Sequence, residues 1–364
     1  MSNVLSRVHD RVEWVDVAKG IAIMLVVLYH SVLLLQQMGV ENDALYQASM
    51  ALQVLRMPLF FTAAGIFAGS VVRRPWGRLW SSRLSLLVWT FLLWSVLRFT
   101  YFMVVPMEAR PQETSLLVLL TAPILPRSGL WFLHSLVAFF VVAKILEGRV
   151  APRWQVACAA ALSLATFSLP FLSLGWRGIG VYFVFFLAGM HGKAWLLNMM
   201  RRPHPLVFVG AVAGVAVLAF MMRAFEWTGV AVLELPIRVS AVVAGFVVAR
   251  WVAELPVVSP VLQYLGRNTL PIYVAHVILV AAFGTLITTA MPSVGDALGG
   301  ETIVVVAVLA VLGALALHQL YRVPVLRCAY EPPAWFSRSQ PVALPVPAGE
   351  ATDPVRFPVT PRLG

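Results

Sequence analysis

Apolar residues run in long blocks along this chain, and short polar clusters separate the blocks. A helix that crosses a bilayer needs about 20 mostly apolar residues. Blocks of that kind recur near 17–37, 49–72, 84–105, 129–147, 155–173, 178–197, 206–223, 230–252, 269–290 and 302–321. They predict an all-α fold, a polytopic integral membrane bundle of about ten transmembrane helices. The block 115–125 is too short to span and is bracketed by prolines, which predicts a re-entrant or interfacial segment. No internal repeat is visible. From about residue 331 the pattern stops: "EPPAWFSRSQPVALPVPAGEATDPVRFPVTPRLG" has eight prolines and no helical period. The expected organisation is a cytoplasmic segment over 1–15, a membrane domain over 16–328, and a Pro-rich, disordered cytoplasmic tail over 329–364.

Composition supports the membrane reading. Of 364 residues, 60% are hydrophobic and 12% charged, which excludes an ordinary soluble domain. The first apolar block follows a polar start without a small-residue cleavage site, so it reads as a retained span. Cys158 and Cys328 suggest neither a disulfide framework nor a metal site.

Charge sets the expected orientation. The balance of 27 Lys+Arg against 16 Asp+Glu gives +11. In this context basic loops meet the cytoplasm and anionic lipid. No nucleic-acid partner is expected, because no basic stretch alternates with exposed aromatics. With the N-terminus in the cytoplasm, the inside segments hold Arg7, Arg11, Arg73, Arg74, Arg78, Arg83, Lys144, Arg149, Arg153, Lys193, Arg201, Arg202, Arg250, Arg267, Arg322 and Arg327. The outside loops hold Arg110, Arg127, Arg177 and Arg223, with Glu41, Asp43, Glu108, Asp296 and Glu301. Both termini are therefore expected inside.

The first span, "VDVAKGIAIMLVVLYHS", carries unusual chemistry for lipid. Lys19 and His30 are eleven residues apart, about three turns, so they share one face roughly 16 Å apart along the axis. Asp16 falls near the same stripe and could cap the helix start. Ionisable groups within a membrane are costly and mark candidate functional sites. Burial favours neutral His30, the form a general base needs. The plainer alternatives are a histidine bonded to a neighbouring helix and a snorkelling lysine.

Four segments then carry a resemblance. Arg11 followed by "VDVAKGIAIMLVVLYH" resembles the opening helix of the acyltransferase-3 family of membrane O-acyltransferases, in which ten residues separate a basic residue from a histidine. Lys19 and His30 match those positions. "RMPLFFTAAG" (56–65) is similar to the family's Met-Pro-Leu-Phe-Phe segment, with Ala64 where many members have serine. "GLWFL" (129–133) resembles its Leu-Trp-Phe-Leu segment. "LGRNTLPIYVAH" (265–276) resembles its late segment ending in histidine. The extracytoplasmic domain that some members append is not matched by the short tail.

The resemblance implies an acyl-CoA donor, acetyl-CoA most often, and a sugar hydroxyl of a surface glycan as acceptor. A lipid-linked exopolysaccharide repeat unit is the narrower expectation. The bacterial inner membrane is the expected location, with other polysaccharide-synthesis proteins as candidate partners. No metal is expected. His30 is the candidate base, Lys19 lies on the donor side, and Asp16 tunes the stripe. Tyr273 and His276 share a face of the ninth span, where Asn268 can cap the helix. His276 would orient the thioester, assist His30 or bond across helices. The loop "RRPWGRLWSSRLS" offers Arg73, Arg74, Arg78 and Arg83 to phosphates, with Trp76 and Trp80 for adenine. Lipid contact is the competing reading of that loop. Arg56, Gln53, Arg98, Trp131 and Arg238, with Glu234 one turn before Arg238, are candidate walls of an acceptor pocket, and structural pairing is the alternative. His134 and His318 read as packing or interfacial. Two rival functions remain: a transporter or flippase for a lipid-linked glycan, and a non-catalytic scaffold.

Overall fold

The computed structural model describes residues 12–107, 111–169, 173–226, 230–320, 323 and 327–337. Arg7, Arg11, Glu108, Arg110, Arg322 and the tail beyond residue 337 lie outside the described residues. Among those described, every regular element is helical. The main helices are α1 (Glu13–Gln37), α2 (Asp43–Ala51), α3 (Gln53–Ile66), α4 (Ser85–Val104), α5 (Trp131–Leu146), α6 (Pro152–Phe167), α7 (Leu174–His191), α8 (Pro205–Ala224), α9 (Ala231–Val252), α10 (Val258–Arg267), α11 (Thr269–Thr285) and α12 (Thr302–Gln319).

Each of the ten expected blocks carries a helix, but they do not make ten equal spans. Among the described residues, six helical stretches are long and apolar enough to cross a membrane, or up to eight if each of two bent pairs counts as one span. One bent pair is α2 with α3, which turn by 45° at Leu52; the other is α7 with Lys193–Met199, which turn by 74°. Helices α5 and α6 have 16 residues each. That is about 24 Å of rise, short of a hydrocarbon core of roughly 30 Å. The block 115–125 yields only Leu116–Thr121, six residues, started by Ser115, whose hydroxyl accepts the Val118 N–H.

Helix α1 is the hub of the bundle. It packs against α3, α9, α10, α11 and α12. In lipid, helices gain little by hiding apolar surface from one another, so close backbone approach carries more of the association. The crossing of α1 with α10 uses two glycines in this way. A Cβ on Gly20 would strike the Leu262 carbonyl, and one on Gly266 would strike that of Asp16. By contrast α8 lies at the rim against α9, with none of its apolar window buried.

The segment after α12 corrects the expectation of a disordered tail from residue 329. Three indoles of Trp80 and α4 hold it: Trp89 donates to the Cys328 carbonyl (2.6 Å), Trp94 to Ala329 (2.8 Å) and Trp80 to Phe336 (3.0 Å). Phe336 also packs on the rings of Trp80 and Trp89. The strap 327–337 is thus fastened to α4 and the turn before it.

Candidate active site

Two chambers open on the stripe of α1. The Lys19 chamber, about 400 Å³, is lined by Lys19, Arg83, Arg267, Asn268, His318 and Tyr330 on its polar side. Leu86, Leu87, Leu133 and Leu136 form an apolar side. The His30 chamber, about 360 Å³, is lined by His30, Arg56, Arg127, Arg238, Trp131 and Tyr182, with Gln37, Gln53 and Gln112 as neutral polar groups. Phe132 and Tyr273 line both chambers and form the wall between them. Their rings pack at 5.1 Å between centroids. Lys19 and His30 therefore stand on opposite sides of one partition, about three turns apart on the same helix.

Asp16 organises the Lys19 side. It does not cap α1, which begins at Glu13 with Val12 before it. Asp16 sits in the first turn, buried, where its carboxylate takes the Lys19 ammonium at 2.7 Å and the Arg267 guanidinium at 3.5 Å. It lines neither chamber; it holds two cations that line one. Asn268 also departs from expectation. Its side chain donates to the Tyr264 carbonyl (2.8 Å) and so closes the end of α10, and it caps no N–H of α11. The first residues of α11 line the chamber, and the start of a helix favours anions.

Of the four arginines expected around the donor, the structure brings only Arg83 to this chamber. Arg73 reaches Glu147 at 3.2 Å on the surface. Arg74 and Arg78 are exposed outside the chamber, and Trp76 is exposed as well. Trp80 is engaged by the strap. His318, expected only to pack, lines the chamber beside Tyr330, at 4.9 Å between rings. Burial pushes the Tyr330 phenol up to about 12.

On the other side, His30 stands beside His276, 5.1 Å between ring centroids. His276 is buried and lines neither chamber. Its Nδ1 lies 2.6 Å from the Tyr273 carbonyl and 3.2 Å from that of Ile272. A carbonyl only accepts, so Nδ1 carries the proton and Nε2 is the basic nitrogen of the neutral ring. Arg56 donates to the Ser49 carbonyl (3.0 Å) and hydroxyl (3.3 Å) and lies over the Tyr29 ring at 3.8 Å. Arg238 pairs with Glu234 one turn away and still lines the chamber. Trp131 stacks beside Tyr182, which stacks on Phe61.

Arg98, expected in the acceptor wall, is not there. It forms a two-point ion pair with Glu113, 2.5 and 3.3 Å, and both side chains are buried. The same carboxylate accepts the Gly129 N–H, and the Gly129 carbonyl accepts the Tyr273 hydroxyl at 3.2 Å. The pair thus anchors the loop that carries Ser128 and Gly129 over the His30 chamber. A side chain at Gly129 would collide with Arg98 and Glu113. His134 bonds the Pro123 carbonyl and lines neither chamber, as expected of a packing residue.

Tyr29, Gln37, Gln112, Arg127, Phe132, Tyr182, Arg267, His318 and Tyr330 are among the lining residues that sequence reasoning missed. The face of α1 that holds His30 could have revealed Gln37, two turns on. Nothing in the sequence marks Tyr182 or Tyr330.

A half-buried histidine beside a buried one, a lysine paired within its own helix and two cavities divided by aromatic side chains make up the candidate site of a membrane protein. The family model described as an acyltransferase domain, of the acyltransferase-3 family, matches residues 12–319, and the chain belongs to that family. It is a multi-pass membrane protein and an acyltransferase by family. It is similar to the "Inner membrane protein YcfT" of Escherichia coli K12, with 22% identity over 331 residues that cover 76% of this chain and 82% of that protein. No solved structure matches.

Proposed function

We propose that this chain is an O-acetyltransferase of the bacterial inner membrane. It moves an acetyl group from cytoplasmic acetyl-CoA to a sugar hydroxyl of a cell-surface glycan, a lipid-linked exopolysaccharide repeat unit being the favoured acceptor. One observation carries the reading: Lys19 and His30 lie on opposite sides of the Phe132–Tyr273 partition, and His30 is backed by His276. The Lys19 chamber faces the cytoplasm and takes the donor. Its cations and the start of α11 suit phosphates, and its leucine side suits the pantetheine arm. The His30 chamber takes the acceptor from the other face. The distribution of basic residues supports an orientation with both termini inside.

In the reaction His30 accepts the proton of the sugar hydroxyl as its oxygen attacks the thioester carbonyl carbon. The C–S bond breaks, and CoA leaves as a thiolate that takes the proton given up by His30, which returns the imidazole to its neutral form. His276 orients His30. The arginines of the His30 chamber supply positive charge for the oxyanion that develops on the carbonyl oxygen. The test uses full-length protein in nanodiscs with labelled acetyl-CoA and a bacterial glycan. His30→Ala protein that still folds and binds CoA is expected to transfer no label. Full transfer by that variant removes the reading.

A further inference from the structure

The His30 chamber holds more positive charge than its own residues neutralise. Arg56, Arg127 and Arg238 line it, and no aspartate or glutamate does. Glu234 answers Arg238. Arg56 is buried, and its hydrogen bonds go from Nη1 to the neutral oxygens of Ser49. Arg127 is exposed at the chamber. Among the described residues, no carboxylate pairs with either Arg56 or Arg127.

A buried guanidinium without a counter-ion is costly, by several kcal/mol for an ion taken from water. The Tyr29 ring face and two neutral oxygens offset only part of that cost. Nε and Nη2 of Arg56 remain as donors in the fork that fits two oxygens of a carboxylate or phosphate. The other polar lining is neutral amide, and the flat walls are Trp131 and Tyr182, which suit the hydroxyls and faces of a sugar. At about 360 Å³ the chamber takes a terminal sugar rather than a long glycan.

We propose that the acceptor admitted here is anionic: a carboxylate on the sugar, or a phosphate attached to it, is held by Arg56 and Arg127 while a hydroxyl meets His30. This rests on the acyl-transfer reading above and narrows its substrate class.

The test uses the full chain in nanodiscs of zwitterionic lipid and ligand-observed NMR. The probes are a glucuronate-terminated disaccharide, its glucose-terminated counterpart and a short polyprenyl diphosphate-linked glucose. One or both anionic probes are expected to bind about tenfold tighter than the neutral one, the range of a charged hydrogen bond. Which of the two gains separates a sugar carboxylate from a carrier phosphate. Rising salt should erode the preference in unmodified protein. The double variant Arg56→Gln, Arg127→Gln should bind all probes alike, and Arg56→Lys, which keeps the charge and loses the fork, should fall between. Equal binding of all probes by unmodified protein, or a preference that survives the double variant, overturns the proposal. The His30→Ala variant separates the two claims. Loss of transfer with the preference kept supports both, whereas transfer kept by that variant sinks the acyl-transfer role of His30 and leaves the anion preference to stand on the binding result.

Discussion

The Lys19 chamber and the His30 chamber are of similar volume, and each is lined by three basic side chains, yet they hold those cations differently. On the Lys19 side one carboxylate, Asp16, serves both Lys19 and Arg267 from outside the cavity. On the His30 side Arg238 has its own partner, while Arg56 rests on neutral groups. The other walls differ as well. Leucines 86, 87, 133 and 136 line one chamber; the other has Tyr29, Trp131, Tyr182 and three glutamines. An aliphatic slot beneath clustered cations fits a thin chain with an anionic head. Aromatic faces among amides fit a ring that carries hydroxyls. The asymmetry matches the two unlike ligands proposed for one helix, and each half can be broken by itself.

The largest expected effect removes the chemistry and leaves both chambers in place. His30→Ala should lower acyl transfer by about 10²–10⁴-fold, the usual worth of a general base, with CoA affinity unchanged in a direct binding measurement. Next comes the roof of the His30 chamber. Glu113→Ala leaves buried Arg98 without its counter-charge, and breaking such a pair costs about 3–5 kcal/mol. Thermal unfolding in detergent should shift down, and the acceptor KM should rise more than the donor KM. The opposite half responds to Lys19→Ala, for which a donor KM roughly tenfold higher, about 1.4 kcal/mol, is expected with the acceptor KM unmoved. An equal rise in both constants would mean that the partition does not divide the ligands. The smallest effect concerns the strap. Burial raises the Tyr330 phenol to about 12, above its usual value near 10. The stability this neutral phenol contributes is fully present below pH 10 and lost as pH rises towards 12. Tryptophan fluorescence, through Trp94 against Tyr330, should change over that alkaline range, and the step should vanish in Tyr330→Phe.

Helix α1 was readable because helical spacing places Lys19 and His30 on one face whatever surrounds them. The segments around Arg56, Trp131 and Tyr273 were readable as motifs, and the fold gathers all three at the His30 chamber. Hydropathy alone was a poorer guide: α8 is as apolar as α1 yet lies wholly at the rim. The bend at Leu52 was hidden because the apolar block runs through it. Arg98 follows the pairing alternative, but its partner was hidden, because no local pattern announces that Glu113 in a short turn folds back under Gly129. The arginine loop was only partly read. Net charge predicts which side a loop prefers, but only Arg83, on the helix that continues into α4, turns into a cavity. The strap was missed for a similar reason. Proline-rich composition argues against helix, and it says nothing about three indoles waiting for carbonyls elsewhere in the chain.

That strap has a consequence for how the protein comes into being. A chain made from its N-terminus can insert α1 and surround it while the Lys19 cavity still lacks one side. Tyr330, which supplies that side, belongs to the last described segment to be synthesised. An unfinished chain would present that cavity open on one side. The wall of the Lys19 cavity is therefore completed only when the strap docks.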